Sequence, residues 1–87
     1  MNYKVIIPKP VLKSLSAIQK HDKDFIINKL FQLETNPYPI GSQKLKSYED
    51  QMRIRVGNYR IRYFINLYDK EIVILDIAHR KDIYKKK

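Results

Sequence analysis

Arg53, Arg55, Arg60, Arg62 and Arg80 are all the arginines of this chain, and all lie in the segment QMRIRVGNYRIRYFINLYDKEIVILDIAHRKDIY, residues 51–84. Four of them recur at period two, so extended strands can gather them on one face. Arg53 and Arg55 fall about 7 Å apart along such a strand. Arg60 and Arg62 follow a tight turn, and cross-strand pairing can bring the two pairs together. A guanidinium is the side chain best suited to fork onto a phosphate. A face with this much fixed positive charge calls for a polyanion or an acidic partner. Breaking RNA by attack of a 2′-OH on the adjacent phosphate has three needs: a proton leaves the 2′-OH, the crowded phosphate is neutralised, and the 5′ oxygen gains a proton. Arginines supply the second as preorganised electrostatics. Their high pKa makes them poor proton carriers, so the proton steps fall to His79, Tyr84 or a carboxylate such as Glu49.

Each of these residues also has a plain structural role open to it. A single arginine alternating with Ile or Tyr is an ordinary solvated strand position. His79 can serve as a strand-end histidine, and Tyr84 can pack the tail onto the sheet. The convergence of five arginines on three adjacent strands is what weighs toward function.

The rest of the composition narrows the choices. The chain has 87 residues, a net charge of +9 and no cysteine. It is long enough for one domain with a modest core. Residues 1–43 carry six basic and three acidic side chains, against twelve and six in residues 44–87. The excess therefore lies with the arginines, and such a field favours phosphate-rich partners or an acidic protein. With His21 and His79 as the only histidines, and no glycine-rich phosphate loop or HExxH, neither a metal nor a cofactor is expected. The apolar runs are too short to cross a membrane. The N-terminus lacks the apolar core of a signal peptide, so the expected location is the cytoplasm.

The elements that must hold the arginines can be read in order. Residues 2–7 (NYKVII) form a strand, ended by Pro8 and Pro10. Pro10 suits the first turn of a helix whose apolar side is Val11, Leu12, Leu15 and Ile18. Residues 20–23 turn the chain, with Asp22 as N-cap. A second helix spans 23–34, its stripe made by Phe25, Ile26, Leu30 and Leu33 and widened by Ile27 and Phe31. Residues 37–50 form a long loop pinned by Leu45. Strands follow at 53–56, 59–66 and 72–78, joined by Gly57-Asn58 and by a turn at 68–71. Val73, Leu75 and Ile77 are expected to face the helices, because Asp76 has the opposite parity. The fold class is α+β: a small antiparallel sheet with an N-terminal strand, an αα-hairpin on one face and a C-terminal three-strand meander. The other face is left to the arginines.

KLKSYEDQMRIRVGNYRIRYFI followed by IVILDIAHRKDIY resembles the RelE/ParE superfamily of toxins from toxin–antitoxin pairs, and more narrowly the RelE branch. The resemblance covers nearly the whole chain, as one RelE-like domain over residues 1–87. It implies a cytoplasmic, metal-independent endoribonuclease that cuts mRNA in the ribosomal A site and so inhibits translation. By position, Arg60 and Arg80 would contact the scissile phosphate and Tyr84 would orient the nucleotide. Lys44, Lys46, Arg62 and Lys81 would lie against RNA of the ribosome. Arg53 and Arg55 stand where well-known members carry a lysine pair used in the proton steps, which moves that burden toward His79. EDQM replaces a glycine and an aromatic found in many members. The implied partners are a cognate antitoxin that wraps the basic face, the ribosome with its mRNA, and operator DNA through the antitoxin. The rival branch, ParE-like, poisons DNA gyrase. A catalytically inactive module that binds only antitoxin and operator is the third class.

Overall fold

A computed structural model describes residues 2–44 and 51–81. The elements run β1 (Lys4–Ile6), α1 (Lys9–Ser16), α2 (Lys20–Thr35), β2 (Gln43–Lys44), β3 (Gln51–Val56), β4 (Tyr59–Asn66) and β5 (Glu71–His79). They build one five-stranded sheet in the order β1-β5-β4-β3-β2. The strands from β5 to β2 pair antiparallel, whereas β1 lies parallel to β5, with Val5 opposite Ile72. The sheet is therefore mixed. The helical hairpin between β1 and the meander carries the chain back across the sheet, and this crossover is what permits a parallel pairing. The α+β class, the hairpin on one face and the meander stand as expected.

Both helices lie on one face, α1 against β5 and α2 against β1 and β3. Pro10 sits in the first turn of α1, where its missing N–H leaves no bond unmade. The break between the helices comes at residues 17–19, a little before the expected turn. Ala17 and Ile18 donate to Ser14 O and Leu15 O, closing α1 tightly. Asp22 is accordingly not the N-cap, a position held by Gln19; it lies in the first turn of α2, where a carboxylate meets the positive end of the helix dipole.

The core gathers Val11 and Leu15 from α1, Ile26, Leu30 and Leu33 from α2, and Met52, Ile54, Ile61, Tyr63, Ile65, Ile72, Ile74 and Ile77 from the sheet. Phe25 and Phe31, expected in the helix stripe, are exposed, because Ile26 and Leu30 take the inward track. Phe25 instead packs edge-on against His21 one turn earlier.

The inward face of β5 also departs from the expected parity. Ile72 and Ile74 are buried, while Val73 and Leu75 are half-buried on other tracks. The register explains this. Tyr63 pairs with Ile74, yet Arg62 pairs with Asp76, so Leu75 is an extra residue in a β-bulge. A bulge shifts the alternation by one. Ile77 therefore faces the core as expected, and Ile72 and Ile74 do so in place of Val73 and Leu75. A second difference falls in the 37–50 segment. Its residues Gln43 and Lys44 form edge strand β2 on β3 rather than loop. Leu45 lies outside the described residues.

Tyr63 is fully buried, and its hydroxyl donates to Pro37 O at 2.8 Å. Burial pushes its pKa up to about 12; the nearby Ser42 hydroxyl pulls the other way and Tyr38 adds to the rise. The folded pKa thus exceeds the unfolded value of 10.0. The resulting stability is fully present below pH 10 and is lost as pH rises toward 12, roughly 2–3 kcal/mol for a shift of this size. Tyr63→Phe should lose about 1–2 kcal/mol at neutral pH, because Pro37 O is left without its donor. Urea unfolding between pH 9 and 12 should show a shallower alkaline decline in the variant than in the native chain.

Candidate nucleic-acid interface

The arginine face is built by β3, β4 and the end of β5. On β3, Met52 and Ile54 are buried, which leaves Arg53 and Arg55 exposed on the other side. On β4, Ile61, Tyr63 and Ile65 point into the core and leave Arg60 and Arg62 outward. The register sets Arg55 opposite Arg60 and Arg53 opposite Arg62. Direct cross-strand partners have Cα atoms about 5 Å apart. Like charges in that position destabilise a sheet unless something neutralises them. Gly57, at φ 60°, makes the turn between the strands, a conformation that costs glycine little.

Each arginine is held differently. Arg53 Nη2 donates to Gln43 Oε1 at 3.0 Å. Arg55 Nε donates to Gly57 O at 3.3 Å, steadying it against the turn. Arg62 gives two bonds, Nε at 3.0 Å and Nη2 at 2.8 Å, to the same Asp76 oxygen. This is the one ion pair among the described residues. Arg53, Arg55 and Arg60 line an open cavity of about 320 Å³ with Gly41, Gln43 and Ile54. That is room for a phosphate and part of a nucleotide. Spacing does not single out Gln43, and it marks Asp76 only as a residue facing away from the helices, with no arginine partner. Pairing between elements distant in the chain puts them here, and the period-two pattern does not encode it.

Arg80 is exposed just past β5, and its N–H donates to Asn58 O at 2.8 Å. That bond docks it beside the β3–β4 turn, next to Arg60's strand. Lys81 is exposed immediately after it.

Two expected members of the site lie elsewhere. His79 does not join the arginines. Ala78 pairs with Arg60 and His79 with Tyr59, so alternation sends His79 to the helix face. There its ring meets Tyr59 edge-on, with centroids 5.1 Å apart, beside a cleft that includes Ser14, Gln19 and Asp22. His79 thus stands on the opposite face of the sheet from the arginines. Lys44 pairs with Met52, on the face opposite Arg53, although as an exposed edge residue it is open to solvent. Lys46, Glu49 and Tyr84 lie outside the described residues. Among the described residues no cluster of His, Asp or Glu has the makings of a metal site.

Asp76 has a measurable consequence. Its pair with Arg62 is about two-fifths exposed, so the bond stabilises by less than about 1 kcal/mol. Its larger effect is to cancel one charge on the face. Asp76→Asn should bind single-stranded RNA more tightly and steepen the slope of log K against log salt by about 0.7, one more phosphate's worth. Filter binding at several salt concentrations checks this.

Comparison with known proteins gives a consistent picture. Residues 5–84 match the family model described as "ParE toxin of type II toxin-antitoxin system, parDE". The toxin RelE3 of Methanocaldococcus jannaschii is 32% identical over 85 residues, covering 93% of this chain and 94% of that protein. The archaeal RelE–RelB complex from Pyrococcus horikoshii holds a chain 34% identical, with a TM-score of 0.83 over 92% of this chain and 97% of that one. The RelB–RelE antitoxin–toxin complex from Methanococcus jannaschii gives 27% identity and a TM-score of 0.78, covering 94% and 98%. Among the described residues no helix is long and apolar enough to cross a membrane.

Proposed function

We infer the function from one premise: this chain belongs to the RelE/ParE family of type II toxin–antitoxin toxins. In this reading it is a ribosome-dependent mRNA endoribonuclease of the RelE type, acting in the A site. The observation that carries the reading is the arginine face. Arg55 and Arg60 stand opposite one another at an open cavity with Arg53 beside them, and Arg80 is docked at the adjoining turn. Like charges at that spacing work against folding, and a bound phosphate backbone turns the same charges into an attraction. In the transition state for 2′-OH attack the phosphate gains charge, which several preset guanidinium donors stabilise without reorganising. Asp76 is engaged by Arg62, and His79 faces away, so the proton steps fall to groups that lie beyond this face or to the ribosome itself.

The partner in this reading is a cognate antitoxin, as in the RelE–RelB complexes of the archaeal relatives. It would neutralise a face of this charge by presenting acidic or amphipathic segments. Through the antitoxin the pair would reach operator DNA.

The matched family carries a ParE description, which keeps the ParE-like alternative, inhibition of DNA gyrase, as a second reading. One experiment separates them. The chain is induced alone in bacteria and mRNA 5′ ends are mapped against ribosome position. Cuts within A-site codons support the nuclease. Growth arrest with intact mRNA and broken or over-supercoiled DNA supports the gyrase poison. Absence of arrest leaves a binding module.

A further inference from the structure

His79 lies off the arginine face, yet its ring is bonded to the backbone just beyond Arg80. The Lys81 N–H donates to His79 Nδ1 at 3.1 Å. The Arg80 N–H donates to Asn58 O at 2.8 Å. The amides at positions 80 and 81 are thus both satisfied as the chain leaves β5 and begins to turn. The ring is held in turn by Tyr59, its cross-strand partner, packed at 85° to it.

We propose that His79 is a positioning residue, whose Nδ1 lone pair caps the turn after β5 and fixes where Arg80 presents its guanidinium. The chemistry demands a ring with Nδ1 bare and the hydrogen on Nε2, because a protonated Nδ1 cannot accept from an amide. The Nε2–H then points away from the cap. A backbone carrying an arginine beside a phosphate site gains from such a cap, since small displacements of a catalytic group are costly in rate. The inference rests on the nuclease reading for its effect on rate, but the cap itself is measurable without it.

The test uses three full-length chains: native, His79→Ala and His79→Asn. Asparagine places an oxygen acceptor at the same distance along the side chain as Nδ1, and it carries no group able to shuttle a proton near neutral pH. Hydrogen exchange at the Lys81 amide and single-turnover cleavage on programmed ribosomes are read for each. The expected result is a protected Lys81 amide in the native chain and in His79→Asn, and loss of protection in His79→Ala. Cleavage should fall about ten- to a hundred-fold in His79→Ala and return to within a few-fold of native in His79→Asn. Loss of cleavage in both variants would make His79 a proton carrier and overturn the proposal. Lys81 protection unchanged in His79→Ala would overturn it as well. If the native chain cuts nothing while the amide pattern holds, the nuclease reading fails and the cap stands.

Discussion

Arg60→Ala is expected to slow mRNA cleavage on the ribosome by about a hundred- to a thousand-fold, the size of effect seen when one preorganised donor is removed from a developing anion. The same substitution should leave stability unchanged or raise it by a few tenths of a kcal/mol. The two expectations have one cause. Arg60 faces Arg55 across the β3–β4 ladder, and directly opposed like charges destabilise a sheet. Deleting one relieves the other. A residue present for structure would give the reverse pattern, with stability falling and activity following it. Arg60 lines the cavity with Arg53 and Arg55, and no ion pair engages it among the described residues, so it is available to a phosphate. Arg62 is different, because Asp76 already holds it. Arg62→Ala should therefore cost less activity than Arg60→Ala. Thermal melts and single-turnover cleavage on programmed ribosomes decide the matter. A folded Arg60→Ala chain that cuts at the native rate would remove the arginine face from the mechanism.

What was legible in the sequence follows from how far each feature reaches along the chain. The arginine face is written at period two within two strands and a two-residue turn, so Arg53, Arg55, Arg60 and Arg62 could be placed on it from spacing alone. The αα-hairpin is likewise local, and Ile26, Leu30 and Leu33 behave as their spacing requires. Features that depend on register between distant segments were not legible. The parallel seating of β1 on β5, the pairing of Gln43 with Arg53 and the bond from Arg62 to Asp76 all belong to this class. His79 is the instructive case. It adjoins Arg80 in sequence, and adjacency suggested a shared site. Strand alternation puts it on the opposite face, where it reaches Arg80 only through the backbone.

Ile74→Ala is expected to destabilise the domain by about 2–5 kcal/mol, whereas Leu75→Ala should cost under about 1 kcal/mol. Ile74 is fully buried on a strand flanked by β1 and β4, and it pairs with Tyr63. Leu75 is the bulged residue and only half-buried. Simple alternation from Asp76 would rank the two the other way, with Leu75 inside, so the pair of substitutions tests the bulge itself. At about 0.05–0.15 kcal/mol per residue, an 87-residue domain has roughly 4–13 kcal/mol of stability in all. A cavity at Ile74 consumes a large share of that. Each kcal/mol moves the midpoint of a domain this size by about 4–8 °C, so Ile74→Ala should melt at least 8 °C below native. Leu75→Ala should stay within about 8 °C of it. Equal losses from the two would place both side chains in the core and remove the bulge. The bulge matters to the site because it keeps Asp76 on the arginine face while Ile77 returns to the core. Without that extra residue, the parity that buries Ile72 and Ile74 would send Asp76 inward, and Arg62 would face Arg53 with no counter-charge from β5.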